Sequence, residues 1–224
     1  MRVSRLLSSA AVGFAGLLLW GCSNGPTYVA QPEPWREQEE RACLVTGHVR
    51  EQPWLHTRSS LGGNSSYCGA MQPFEMAGAA DGRVQMRPAA LLRCNMIPSV
   101  ERWVRQVIEP EARRHYGLPV VELKVAASYA CRPRNSQSGA KLSEHGHANA
   151  LDISAFILAD GRKITVKQGW SGEPRDRSFL RAVHAGACRE FTTVLGPLAD
   201  AYHQDHFHLD LARHGRSGRE VICQ

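Results

Sequence analysis

The sequence predicts an α+β domain in which a small antiparallel sheet is flanked by helices and held together by disulfides. Two stretches have the three- and four-residue apolar spacing of amphipathic helices, and several short segments are rich in β-branched residues. Two main helices and several antiparallel strands together indicate the α+β class. We interpret the chain as exported, and we therefore expect its cysteines to form disulfides.

The composition is that of a globular protein with a hydrophobic core. The chain has 224 residues, enough for one domain with extensions, and 43% of them are hydrophobic. The formal charge is +6, and loss of Arg2 and Arg5 with a signal peptide leaves +4. This mild charge suits an anionic cell-wall polymer or lipid headgroups, or only a solvated surface. Basic clusters with interleaved aromatic residues are absent from the sequence, so nucleic-acid binding is not predicted.

The first twenty-two residues have the layout of an export signal. Two arginines precede an uncharged apolar stretch over residues 6–20, too short for a permanent membrane span. The run Leu-Trp-Gly-Cys that ends at Cys22 resembles the cleavage box of bacterial lipoproteins. We therefore predict a lipoprotein signal peptide over residues 1–21 and a lipid on Cys22. The alternative is a plain secretory signal with an incidental cysteine.

These features predict a location and a domain layout. The residue after Cys22 is Ser23 rather than Asp, which in Gram-negative lipoproteins implies the outer membrane. We expect a protein of the cell envelope, lipid-anchored and facing the periplasm. Residues 22–34 are polar with several prolines and predict a tether, and residues 35–224 form the domain.

Seven cysteines are an odd number for an exported chain. Assigning Cys22 to lipid leaves six, which can form three disulfides in 15 alternative pairings. A zinc-thiolate site is disfavoured because the chain has no Cys-x-x-Cys pair. We predict the pairs Cys68–Cys94, Cys131–Cys188 and Cys43–Cys223.

The clearest helix begins near Pro98, with Ser99 as its N-cap and Gly117 as its stop. Pro110 is expected to kink or divide it. A short helix is predicted within 35–49, a loop at 61–66, and a second long helix over 176–191. The apolar residues expected to face the core are Val100, Trp103, Val104, Val107, Ile108, Phe179, Leu180, Val183, Ala187 and Phe191.

Four strands follow from the pattern. They are predicted over 120–127, 150–158, 163–166 and 206–212. Asp160-Gly161 between the second and third is a hairpin signal. The second strand carries Asp152.

The chemistry of the chain is concentrated in two histidine-rich segments. His145 and Asp152 are seven residues apart, and His203, His206 and His208 follow about fifty residues later. Two imidazoles and one carboxylate are a common ligand set for catalytic zinc, with the fourth position left for water. The small residues Gly146, Ala148 and Ala150 permit the tight loop that this requires. His206 and His208 share one face of a strand, and the spacing does not say which of them is the ligand.

The motif Ser143-x-His145-x-x-Ala148-x-Ala150-x-Asp152 resembles the zinc motif of the D-Ala-D-Ala peptidases and murein endopeptidases, whose broader fold is shared by hedgehog domains and lysostaphin-type peptidases. The segment His203-x-x-His206-x-His208 is similar to the closing motif of the penicillin-insensitive murein endopeptidases. More closely, residues 68–223 resemble the bacterial extensin-like C-terminal domain family. The runs that carry this resemblance are Ser-Tyr-x-Cys-Arg, Ser-Glu-His, Ala-Leu-Asp-Ile, Ala-Cys-x-Glu-Phe, Val-Leu-Gly-Pro and Asp-His-Phe-His-Leu-Asp.

The resemblance implies that His145, Asp152 and His208 hold zinc. It implies four further active-site residues, which are Arg132, His203, Asp205 and His206. Arg132 matches an arginine that holds a substrate carboxylate or a developing oxyanion; the alternative is a surface ion pair. Asp205 and His206 are both possible general bases, and either could instead be structural. The chain departs from the peptidase motif at Ala148, where glycine is usual.

The implied activity is zinc-dependent hydrolysis of D-amino-acid-containing peptide bonds of peptidoglycan, of the endopeptidase or carboxypeptidase type. Zinc brings the pKa of its water to about 7, and Asp205 or His206 accepts the proton. The alternative is a non-catalytic, zinc-stabilised envelope lipoprotein that binds peptidoglycan. Asp210 is interpreted as structural, and Ser143 as the cap of the metal loop. His115, His147 and His184 are interpreted as non-catalytic.

Overall fold

The computed structural model of the protein describes residues 27–62 and 67–224. The predicted signal peptide and Cys22 lie outside these residues. The helices are α1 (Pro34–Thr46), α2 (Met96–Trp103), α3 (Glu109–Tyr116), α4 (Val166–Gly169) and α5 (Pro174–Ala187). The strands are β1 (Leu55–Thr57), β2 (Phe74–Ala79), β3 (Val84–Leu92), β4 (Val120–Ala127), β5 (Ala150–Leu158), β6 (Lys163–Thr165), β7 (Thr193–Leu195), β8 (Phe207–Asp210) and β9 (Ile222–Cys223).

The strands of the described residues form one mixed sheet in the order β1-β2-β3-β4-β5-β8-β7-β9, with β6 paired to the distal half of β5. The pairs β3/β4 and β7/β9 are parallel and the other pairs are antiparallel. The α+β class is confirmed, but the sheet is larger than the small antiparallel one predicted. The helical crossover from β3 to β4 makes the first parallel pair possible, because parallel strands cannot be joined by a tight hairpin.

The predicted long helix is a composite of α2, a π-helical turn (Val104–Ile108) and α3, which follow one another without a break. It begins two residues before Pro98, and Ser99 is a buried residue of its first turns rather than its N-cap. Pro110 lies at the start of α3, directly after the π turn, where its missing N–H can be accommodated. Gly117 ends α3 as predicted, at φ +69°.

The core lies between one face of the sheet and the helices α2, α3 and α5. The Trp103 ring packs edge-on against Phe156 and Phe191, with ring centroids 6.3 and 6.1 Å apart, respectively. Alternation along β8 places Phe207 in this core and leaves His208 on the opposite face. The sheet therefore separates an apolar core from a polar face.

The disulfides are Cys43–Cys94, Cys68–Cys131 and Cys188–Cys223. All six predicted cysteines are paired, but each of the three predicted pairings is wrong. The reason is long-range packing: α1 lies against the segment before α2, and β9 returns beside β7 next to the end of α5. These contacts cannot be inferred from the spacing of the cysteines along the chain.

Two residues within the predicted tether, Thr27 and Val29, form backbone hydrogen bonds with the segment 139–142. The Val29 N–H donates to the Ala140 carbonyl at 2.9 Å, and the Leu142 N–H donates to the Val29 carbonyl at 2.8 Å. The Gly139 N–H donates to the Thr27 carbonyl at 2.7 Å. Among the described helices, none has the length and apolar character of a membrane span.

Candidate metal centre

Three of the predicted ligands converge on the polar face of the sheet. Strand register places Asp152 on β5 opposite His208 on β8. His208 Nδ1 lies 2.9 Å from Asp152 Oδ1, and His145 Nε2 lies 3.1 Å from Asp152 Oδ2. The three donor atoms lie within 4.8 Å of one another, and all three residues are buried. Tetrahedral zinc needs neighbouring donors roughly 3.3 Å apart, so this donor set fits the ion.

The second nitrogen of each of these imidazoles is held by another group. His145 Nδ1 donates to the Ser128 carbonyl, and His208 Nε2 donates to Asp210 Oδ2 at 2.9 Å. This leaves His145 Nε2 and His208 Nδ1 as the nitrogens that face Asp152. Orientation of a ligating histidine by a carbonyl or a carboxylate is typical of protein metal sites.

The metal-free cluster is held together by charge. Burial alone would lower the pKa of His208, but hydrogen bonds and attraction to Asp152 and Asp210 outweigh burial and raise the pKa to about 10. Burial opposes ionisation of Asp152 as well, yet His145 and His208 hold the pKa of this carboxyl far below its usual value. The two carboxylates therefore favour the charged form of His208, and a bound cation would compete with its proton.

The His145 loop is a 3₁₀ turn, Glu144–His147, whose backbone is closely packed. The Ser143 hydroxyl accepts from the His145 N–H at 3.4 Å, in agreement with the predicted capping role. A Cβ on Gly146 would lie 2.8 Å from Leu142 Cδ1 and 3.3 Å from the Cys68 sulfur, so a larger residue would crowd the loop. Ala148 adopts a left-handed conformation at φ +50°, which explains why the resembling motif usually has glycine at this position.

Two more histidines lie beside the three donors, each bonded to an aspartate. His206 precedes β8 because this strand begins at Phe207, later than predicted. His206 Nδ1 is 2.8 Å from Asp205 Oδ1, and its Nε2 is 3.7 Å from Asp152 Oδ2. The His203 ring is 5.7 Å from that of His208.

His203 Nδ1 is 2.7 Å from an oxygen of Asp200, a partner that the sequence analysis missed. The three-residue spacing of Asp200 and His203 was the available signal. Burial lowers the pKa of His203 despite this carboxylate. Asp205, predicted as a possible base, is exposed and does not line the cavity.

The donors line an open cavity of about 570 Å³, together with Arg132, Arg134, His203 and His206. Arg132 is half-buried, and its guanidinium is 3.5 Å from the Pro133 carbonyl. Within residues 27–62 and 67–224 it forms no ion pair, so the alternative of a surface ion pair is not supported. The cavity thus combines a candidate cation site with a guanidinium available to an anion.

A second group, His184, Cys188 and Cys223, also has its donor atoms close together. The two sulfurs are joined in a disulfide, so they offer no thiolate to a metal. His184 Nε2 donates to the Gln224 carbonyl at 2.9 Å, in agreement with a non-catalytic role.

The sequence model described as "Extensin-like protein C-terminus" matches residues 41–224. The chain belongs to the extensin-like C-terminal family. Neither the curated proteins nor the solved structures contain a match to it. The extensin-like region includes His145, Asp152 and His208 and begins within α1, so residues 27–40 lie outside the family match.

Proposed function

We propose that this extensin-like protein is a zinc-dependent hydrolase that cleaves D-amino-acid-containing peptide bonds of peptidoglycan. The convergence of His145 Nε2, Asp152 and His208 Nδ1 in an open cavity is the observation that carries the proposal. The motif resemblance to zinc D-Ala-D-Ala peptidases and murein endopeptidases supplies the substrate class. Zinc, when bound, supplies Lewis-acid polarisation of a carbonyl and acidification of water.

The residues around the donors suit the remaining tasks of amide hydrolysis. Arg132 has a guanidinium that can bind a substrate carboxylate or a developing negative charge. His206 has its Nδ1 bonded to Asp205, which leaves Nε2 to exchange a proton with the attacking water and the leaving amine. The pair supports His206 as the base and Asp205 as the group that orients its ring.

We further propose that the protein is exported, anchored by lipid on Cys22 and exposed to the periplasm. The three disulfides of the described residues support an oxidising compartment. The peptidoglycan peptide and the membrane are then its partners.

One observation favours the non-catalytic alternative, in which zinc stabilises a peptidoglycan-binding domain. The acidic residue that matches the carboxypeptidase base by position, Asp205, is exposed and outside the cavity. A domain without an effective base would bind wall peptide but not cleave it.

The two functions are separated by mass analysis of muropeptides incubated with zinc-loaded protein. We expect shortened or divided stem peptides with the wild type and with His48→Ala, which alters an exposed histidine just after α1. We expect His208→Ala to bind no zinc and to cleave no stem peptide. Intact cleavage by His208→Ala would refute the proposal, and peptidoglycan binding without products would favour the alternative.

A further inference from the structure

A buried ion pair links helix α1 to the turn that carries His145. The Arg36 guanidinium contacts both oxygens of Glu144, with Nη1–Oε2 and Nη2–Oε1 distances of 2.6 Å each. The Arg36 side chain is 11% exposed and that of Glu144 is 4% exposed. Two-point contacts of this kind fix direction as well as distance. Because Glu144 directly precedes His145, the contact acts next to a proposed metal ligand.

The Glu144 carboxylate also closes the turn on itself. Asn149 Nδ2 donates to Glu144 Oε2 at 2.7 Å, and the Asn149 N–H donates to the Glu144 carbonyl at 3.0 Å. Both residues are buried. The two ends of the turn are therefore held by one carboxylate whose charge is balanced by Arg36.

Arg36 is itself held in place. The Cys43–Cys94 disulfide ties α1 to the segment before α2. Glu40 forms a second buried pair with Arg93 at 3.3 Å, and Arg93 also donates to the Arg36 carbonyl. Helix α1 thus presents Arg36 from a fixed support.

Removal of Arg36 leaves Glu144 buried without its counter-charge. Such a carboxylate would turn towards water, and this movement would break its contact with Asn149. Metal affinity depends on placing ligands to within about half an ångström. Movement of the turn would therefore displace His145 Nε2 from its position in the proposed metal site.

We infer that Arg36 is a positioning residue for the metal centre, acting through Glu144 on His145. The inference rests on the proposed metal site, and it assigns part of that site to a segment before the family match, which begins at residue 41. The chain N-terminal to the extensin-like region would then be required for the site as well as for attachment.

The test compares Arg36→Met with Arg41→Met, which removes the exposed Arg41–Glu37 pair of the same helix and does not contact Glu144. Hydrogen exchange of residues 143–149 is measured in the metal-free protein, and zinc affinity by chelator competition. We expect faster exchange over 143–149 and roughly 10-fold weaker zinc binding in Arg36→Met only. If Arg36→Met does not fold, Arg36→Lys replaces it, since lysine keeps the charge but lacks the two-pronged contact.

Exchange over 143–149 that is the same in the Arg36 variant and in Arg41→Met would overturn the inference. So would zinc affinities that differ by less than a factor of about 2 between them, given a wild type that binds zinc. A wild type that binds no zinc would refute the proposed function, and the exchange of the metal-free variants would still decide whether Arg36 holds the turn.

Discussion

Asp152 and His208 face each other across the β5–β8 pair, and their side chains meet at 2.9 Å. The register of two neighbouring antiparallel strands thus fixes two of the three metal donors. A one-residue slip would send His208 to the core side and bring Phe207 to the polar side. Donors on strands are held more firmly than donors on loops. We therefore expect zinc affinity to depend on the groups that orient these donor side chains.

Asp210 is expected to tune metal affinity through His208. In Asp210→Asn, the partner of His208 Nε2 loses its charge, and we expect zinc binding to weaken roughly 10-fold. Chelator competition measures the change. Asp176→Asn is the matched control, because Asp176 accepts a hydrogen bond from Tyr116 far from the site. Equal zinc affinities in the two variants would contradict the role given to Asp210.

Gly146→Ala should loosen the metal site by crowding. The added Cβ would meet Leu142 Cδ1 at 2.8 Å and the Cys68 sulfur at 3.3 Å, so either the Leu142 side chain or the His145 loop must move. Gly117→Ala provides a control, because its Cβ meets nothing within 4 Å and only the left-handed backbone is penalised, by about 1 kcal/mol. Titration of both variants with zinc should show weaker binding for Gly146→Ala alone. Unchanged affinity would mean that the loop tolerates the methyl group.

The Cys68–Cys131 disulfide should support both stability and the site. It closes a loop of 63 residues, so Cys68→Ser with Cys131→Ser should lower the free energy of unfolding by about 4 kcal/mol. Urea unfolding measures this loss. The bond lies beside Gly146 and next to Arg132, so zinc affinity should fall as well. Removing Cys188–Cys223 should lower the free energy of unfolding but leave zinc affinity unchanged. Zinc binding that weakens on removal of Cys188–Cys223 but not on removal of Cys68–Cys131 would contradict this prediction.

His184 should make the metal-free protein less stable in mild acid. Burial lowers the pKa of His184, although its bond to the Gln224 carbonyl opposes this. Below the unfolded pKa of about 6.5, the unfolded chain takes up a proton that the folded chain resists, so stability falls as the pH falls. The stability advantage of the wild type over His184→Gln should therefore shrink between about pH 7.5 and pH 5. Urea unfolding with a chelator present measures this difference, and a constant difference would contradict the prediction.

Local pattern was sufficient for the central strands. β4 and β5 have the predicted bounds, because both are apolar segments flanked by turn residues. β1 and β9 have three and two residues, too few to show a period. The parallel β3/β4 pair was missed because pairing across a helical crossover leaves no local signal.

In the candidate site, too, one part could be predicted from the sequence and another part could not. The donor set could be proposed from motif resemblance, and the structure brings its three residues together. The orienting groups, Asp210 and the Ser128 carbonyl, depend on side-chain directions that a sequence does not contain. The Arg36–Glu144 pair spans 108 residues, and the disulfide partners are likewise set by tertiary packing.

An anomalous difference map, collected at the zinc edge from crystals of the zinc-loaded protein, tests the central claim most directly. The account predicts one strong peak bonded to His145 Nε2, Asp152 and His208 Nδ1. The absence of a peak at these atoms, or a peak only elsewhere on the molecule, would contradict it.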